Sequence, residues 1–168
     1  LIATEYEAFG DFIAIWQSDA ADGDDWAVMG RQFNRDGQPI NDEFRIFGHW
    51  QFGQSLPDIT MLADGQIAVS LLDNNGDLDQ VKLVMLSPGT TQDDILQGDE
   101  QSNILLGGDG NNTLHGEAGD DLLYQGTLAY GGDGDDTFYG GKVIHGGNGH
   151  DDIYISSDNG TIDGGADH

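Results

Sequence analysis

One nine-residue pattern, written three times, limits what this chain can fold into more than any other feature. Gly116–Tyr124 reads Gly-Glu-Ala-Gly-Asp-Asp-Leu-Leu-Tyr. Gly131–Tyr139 reads Gly-Gly-Asp-Gly-Asp-Asp-Thr-Phe-Tyr, and Gly146–Tyr154 reads Gly-Gly-Asn-Gly-His-Asp-Asp-Ile-Tyr. Glycine holds positions one and four, aspartate position six, a large apolar residue position eight and tyrosine position nine. The copies start fifteen residues apart. A unit this short cannot enclose a core. It must stack on its neighbours, each coil covering the apolar residue of the one before.

The register extends in both directions. Gly89, Gly98, Gly107 and Gly116 open four consecutive nine-residue units, with Leu96, Leu105, Leu114 and Leu123 at position eight. Position six is Asp94, Asn103, Asn112 and Asp121. After Tyr124, six-residue units at 125–130 and 140–145 alternate with nine-residue ones; 155–163 returns to nine, and Gly164 opens another. Glycine at positions one, two and four is expected to allow a tight positive-φ turn and to leave carbonyls uncovered. A carboxylate at position six then faces the same point as those carbonyls. A set of oxygen donors alone suits a hard cation, and calcium takes six to eight oxygens.

Charge points the same way. The chain carries 31 acidic residues against 5 lysines and arginines, a net charge of −26. Such a surface repels phosphate backbones and anionic lipid, which argues against a nucleic-acid partner. No apolar run is long enough to span a membrane. There is no cysteine, which excludes disulfides and thiolate metal sites. The acids are unevenly opposed. Residues 1–88 hold 15 acids, 4 bases and 8 glycines; residues 89–168 hold 16 acids, 19 glycines and Lys142 as the one base. Ion pairing cannot neutralise the second part, so it stays expanded or binds cations. We therefore divide the chain into a domain at 1–88 and another at 89–168.

Residues 1–88 read as antiparallel β. Phe12–Trp16, Trp26–Met29, Phe44–Phe47, Gln66–Ser70 and Val81–Leu86 are short runs rich in β-branched and aromatic residues. Asp22-Gly23, Asp36-Gly37, Asp64-Gly65 and Asn75-Gly76 lie between them as hairpin signals. Ala8–Trp16 matches Ala63–Leu71 at an offset of 55, a period that suggests blade-like meanders. Asp73–Asp79 alternates carboxylates like a calcium loop, but its glycine is not at the EF-hand position, and a solvated hairpin is the plainer reading. Trp16, Trp26 and Trp50 read as core residues before they read as a ligand platform.

The copies at 131 and 146 fit Gly-Gly-x-Gly-x-Asp-x-(large apolar)-x, and through them residues 89–168 resemble the RTX, or hemolysin-type, calcium-binding repeat proteins. The stretch from Gly10 to Ile46, with Trp16-Gln-Ser18, Gln32–Ile40 and Glu43-Phe44, resembles tandem β repeats of large secreted bacterial proteins. The resemblance implies an all-β chain: an antiparallel, blade-like meander followed by a parallel β-roll with calcium held between successive turns. In that family one turn gives the carbonyls of positions one and three and its aspartate, and the turn stacked on it gives those of positions two and four and its own. Carried over, calcium would lie between the turns at 116 and 131, 131 and 146, and 146 and 164. The carboxylates are Asp121, Asp136 and Asp151. The carbonyl donors are Gly116, Gly119, Gly131, Gly132, Asp133, Gly134, Gly146, Gly147, Asn148 and Gly149, with Gly164 and Gly165 from the last turn.

Spacing adds an asymmetry that the resemblance does not supply. The short turns at 125 and 140 have no carboxylate, and Lys142 repels a cation, so the opposite edge is expected to be poor in metal. Tyr124, Tyr139 and Tyr154 form a column at an outward position. It is expected to pack on itself or a neighbouring domain, with a glycan as the alternative. His115, His145 and His150 are not spaced for zinc.

For function, the pattern implies a calcium-dependent structural module that folds after export, secreted or displayed at the cell surface; the resemblance implies type I secretion. The chain opens Leu1-Ile-Ala-Thr4 and stops inside a repeat, so it reads as an internal piece with its last site cut short. The alternatives are the non-catalytic part of an RTX-tailed protease, lipase or polysaccharide-modifying enzyme, or an adhesin or matrix component. No His-Glu-x-x-His and no Gly-x-Ser-x-Gly occurs, so no catalytic centre is expected within the chain.

Overall fold

The computed structural model describes residues 2–5, 11–19, 26–46, 54–63, 65–74, 79–155 and 160–166. Among these the regular structure is all β. None of them forms a helix long and apolar enough to cross a membrane. The chain divides into two units, Leu1–Met85 and Leu86–His168.

In the first unit, β1 (Ile2–Glu5), β2 (Phe12–Asp19), β3 (Trp26–Phe33) and β4 (Phe44–Arg45) form an antiparallel sheet in that order. β5 (Gln54–Met61) pairs antiparallel with β6 (Ile67–Asn74), and β7 (Asp79–Pro88) follows beside β6. Phe12 and Ile67, the first residues of β2 and β6, are 55 apart, and both strands have 8 residues. The sequence repeat is thus a repeat of strands, as alternation required: Ile67, Val69 and Leu71 are buried, while Ala68, Ser70 and Leu72 between them are half-buried. Ile13, Ile15, Val28, Phe44 and Ile46 are also buried apolar residues of this unit.

Two strands, β1 and β5, had no clear signal. β1 is only 4 residues long. β5 carries Pro57, which argues against a strand unless the ladder is broken there. It is broken: the register shifts between Ser55 and Asp58, and Leu56 takes a φ of 50°. Of the hairpin signals, Asp36-Gly37 makes its turn. Gly37 has a φ of 75°, its N–H donates to Asn34 O, and Asn34 Oδ1 accepts from the N–H groups of Asp36 and Gln38. Asp22-Gly23, Asp64, Asn75-Gly76, Phe47, Trp50 and the side chains of Trp26, Asp73 and Asp79 lie outside what is described. Trp16 is half-buried.

The second unit is a parallel roll. Its even strands are β8 (Ile95–Gln97), β10 (Thr113–Ala118), β12 (Leu128–Asp133), β14 (Val143–Asn148) and β16 (Thr161–Asp163), stacked in that order. Its odd strands β9 (Asn103–Leu106), β11 (Leu122–Tyr124), β13 (Thr137–Tyr139) and β15 (Asp152–Tyr154) form the facing stack. Register keeps the inward residues, position eight of each nine-residue unit and Ala129 and Ile144 of the six-residue ones, in two facing columns. Leu105, Leu123, Phe138 and Ile153 are successive partners on one side; Leu96, Leu114, Ala129, Ile144 and Ile162 are on the other. Leu105, Leu114, Leu123, Ala129, Phe138 and Ile144 form the core, with Leu96 and Ile153 packed against it. Burying a large apolar side chain stabilises by about 1.5–3 kcal/mol. The smallest and largest core residues, Ala129 and Phe138, follow one another in successive strands, which balances volume.

Outside the core the rings stack. Tyr124 lies 4.7 Å from Tyr139, and Tyr139 lies 5.1 Å from Tyr154, the rings stacked in nearly parallel planes. Across the roll, Tyr130 is sandwiched by His115 and His145, each at 4.9 Å. The outward reading needs correcting for Tyr124, which is buried, whereas Tyr139 is half-buried and Tyr154 exposed.

Candidate metal centre

The turns that lead from even to odd strands stack along one edge, the near edge: 98–103, 116–121, 131–136 and 146–151, with Gly164–Ala166 beginning the next. Those from odd to even strands form the far edge: 89–94, 107–112, 125–127 and 140–142.

The near-edge glycines serve two different purposes. At positions two and four the backbone is left-handed, as in Gly132 (φ 118°) and Gly134 (φ 139°), which glycine alone adopts without strain. Glu117 holds the same conformation at position two with a φ of 79°. Position one differs from the expectation, because Gly116, Gly131 and Gly146 lie outside the left-handed region. They are glycine for lack of room. A Cβ on Gly116 would fall 2.5 Å from Gly131 O and closer still to Asp121 Oδ2. On Gly131 it would fall 2.5 Å from Gly146 O beside Asp136 Oδ2, and on Gly146 2.6 Å from Gly164 O beside Asp151 Oδ2. Each first glycine thus leaves a cradle bordered by its own repeat's carboxylate and the first carbonyl of the next turn.

The remaining turn carbonyls stack in columns. Glu117 O faces Gly132, Gly132 O faces Gly147, and Gly147 O faces Gly165. Gly119 O faces Gly134, and Gly134 O faces Gly149. The position-three carbonyls of Asp133 and Asn148 accept from Gly119 N–H and Gly134 N–H, both at 2.8 Å. A carbonyl oxygen has two lone pairs, so one stays available.

The carboxylates are held by a ladder of amides. Asn103 N–H donates to Asp121 Oδ1 at 2.8 Å, Asp121 N–H to Asp136 Oδ1 at 2.9 Å, and Asp136 N–H to Asp151 Oδ1 at 3.1 Å. Each Oδ1 is thereby spoken for. The Oδ2 atoms of Asp121 and Asp136 are buried with no hydrogen bond, and Asp151 Oδ2 is buried too. Asp121 has 0% of its surface exposed and Asp136 1%. Burial pushes Asp121 up to about 7 against the lowering effect of the Asn103 amide, and Asp120 and Asp99 raise it further. Burial pushes Asp136 up to about 8; the Asp121 amide lowers it, and the charges of Asp121, Asp151 and Asp120 raise it. A buried oxygen of this kind calls for either a proton or a cation.

The donor set suits a hard cation. Every group around the cradle is oxygen, and calcium is bound by carboxylates and carbonyls together. Among the described residues no three His, Cys, Asp or Glu side chains converge on one point, which leaves backbone carbonyls as the main donors. The structure brings Asp121, Asp136 and Asp151 into one row with their glycines, and Gly164 and Gly165 stack at its end. Sequence reasoning missed the amide ladder and a second row outside it. Asp120 Oδ1 accepts from Asp135 N–H at 3.0 Å, Asp135 Oδ1 from His150 N–H at 2.8 Å, and Asp133 Oδ1 from Asn148 Nδ2 at 2.7 Å. The fifteen-residue spacing of Asp120 and Asp135 at position five was the available signal.

Residues 88–123, 128–142 and 143–162 match the RTX calcium-binding nonapeptide repeat, in four copies. No curated protein and no solved structure matches the chain. RTX nonapeptide repeats bind calcium ions, and the residues that form the cradles, Gly164 apart, lie within the matched ranges.

Proposed function

We propose, from the premise that the second unit is built of RTX calcium-binding nonapeptide repeats, that this chain is a structural module of a secreted bacterial protein, closed by calcium after export. Asp121, Asp136 and Asp151 are the carboxylate ligands. The carbonyl donors are Gly116, Gly119, Gly131, Gly132, Asp133, Gly134, Gly146, Gly147, Asn148, Gly149, Gly164 and Gly165. One observation carries the reading: the buried, unbonded Oδ2 atoms of Asp121 and Asp136, each at a glycine cradle shared with a carbonyl of the next turn. Calcium supplies positive charge there, and its binding energy becomes folding energy. Extracellular modules bind calcium with dissociation constants of about 10⁻⁴ to 10⁻³ M, so such a roll is looser and less stable where calcium is scarcer.

The roll acts as scaffold rather than catalyst. Its Tyr column, stacked ring on ring, ends in the exposed Tyr154, which it offers to a neighbouring domain or a glycan. The test is a calcium titration of the chain followed by far-UV circular dichroism. Calcium should raise the β signal and chelator should reverse it. Identical spectra with and without calcium would end the proposal.

A further inference from the structure

The two edges of the roll satisfy position six in opposite ways. On the near edge, Oδ2 of Asp121 and of Asp136 is buried without a hydrogen bond. On the far edge, Asp94 Oδ2 accepts from Thr90 N–H at 2.7 Å and from Thr90 Oγ1 at 2.9 Å. Asp94 N–H donates to Asn112 Oδ1 at 2.9 Å. Asn112 is 0% exposed, and its Nδ2 donates to Asp109 O at 3.1 Å and Gly108 O at 3.4 Å. These are the position-two and position-three carbonyls of its own turn.

The position-one glycines make the comparison direct. A Cβ on Gly131 would meet Asp136 Oδ2 and Gly146 O. A Cβ on Gly107 would meet Asn112 Nδ2 at 3.1 Å and Gln125 O at 2.8 Å. A nitrogen donor stands where the near edge puts a carboxylate oxygen. Asparagine alone does not dictate this. Asn103, at the same repeat position on the near edge, turns its Oδ1 toward Gly98 and accepts from Asp99 N–H at 2.7 Å. Of the far-edge turns past Asn112, Gln125-Gly126-Thr127 and Gly140-Gly141-Lys142 are only three residues long, without a carboxylate and with Lys142 exposed; residues 156–159 of the turn after them lie outside what is described.

We infer that calcium loads the near edge alone, and that the Asn112 side-chain amide holds the far edge closed in place of a cation. This rests on the function proposed above. An amide N–H pair supplies the positive pole that stacked carbonyls need, yet brings no buried charge and does not respond to calcium. Asp94 Oδ2, the counterpart of the unbonded near-edge oxygens, is already met by Thr90. Calcium therefore acts on one seam of a roll whose other seam is fixed by hydrogen bonds.

Calcium counting by equilibrium dialysis on the whole chain tests this, with the variants Asp94→Asn, Asn112→Asp and Asp136→Asn. Asp94→Asn should leave the number of bound ions unchanged, and Asp136→Asn should lower it. Asn112→Asp sets a second carboxylate beside Asp94 and should add an ion. A lower count in Asp94→Asn would show a loaded far edge and overturn the inference while leaving the proposed function intact. An unchanged count in Asn112→Asp would remove Asn112 from the role given to it. A native chain that binds no calcium at all would overturn both.

Discussion

Replacing Asp136 by asparagine should change stability in opposite directions with and without calcium. In the metal-free roll this carboxyl is buried, and its pKa is pushed from 3.8 up to about 8. The unfolded chain ionises it freely. At about 1.4 kcal/mol per pH unit, that difference costs the metal-free fold up to roughly 4 kcal/mol at pH 7. Asparagine has no proton to lose, and Asn112 already shows an amide fitting position six with its nitrogen on the carbonyls of its own turn. Metal-free Asp136→Asn should therefore gain stability, by between about 1 and 4 kcal/mol. With calcium the sign reverses. Under the proposed ligand set Asp136 serves the sites on both sides of its turn. A site saturated at ten to a hundred times its dissociation constant contributes about 1.4–2.7 kcal/mol, so weakening two should cost roughly 3–5 kcal/mol. Hydrogen exchange of residues 116–154, in chelator and in calcium, reads both effects on the roll itself. Destabilisation of the same size in both conditions would refute the reasoning, because it would make Asp136 a structural hydrogen-bond acceptor and nothing more.

Other outcomes follow from the same geometry. Gly131→Ala puts a methyl against Asp136 Oδ2 and Gly146 O; overpacking of this kind costs about 1–3 kcal/mol, and calorimetric titration should show calcium binding lost or sharply weakened. Without calcium, the raised pKa values of Asp121 and Asp136, about 7 and about 8 against 3.8, favour the protonated fold. Metal-free stability should be greatest below about pH 4 and fall as pH climbs to about 8, as urea denaturation at several pH values would show. Calcium needs the ionised carboxylates, so its affinity should rise over that window, with protons released into weakly buffered solution as it binds. Phe138→Ala removes the largest core side chain and should cost about 3–5 kcal/mol in the calcium-loaded chain, measured by thermal unfolding.

Much of the roll was legible because it is periodic. Leu105, Leu114, Leu123 and Phe138 could be placed in the core from position eight alone, since stacking identical coils leaves that column nowhere else to go. The alternation of long and short turns put Asp121, Asp136 and Asp151 on one edge before any coordinates. The first unit was less legible. β5 hid behind Pro57 because a bulge, which only a paired neighbour defines, lets proline sit in a strand. Tyr124 matched Tyr139 and Tyr154 in sequence, yet it alone is buried.

The sequence by itself determined the repeat length, the inward residue of each coil and the position of each carboxylate, because these depend on residues within one unit. Tertiary structure decided why the first glycine of each turn tolerates no side chain, and which way Asn103 and Asn112 face. Those outcomes are set by atoms fifteen or eighteen residues away, such as Gly146 O over Gly131 and Asn112 Oδ1 against Asp94. Such atoms become neighbours only when one coil lies on the next.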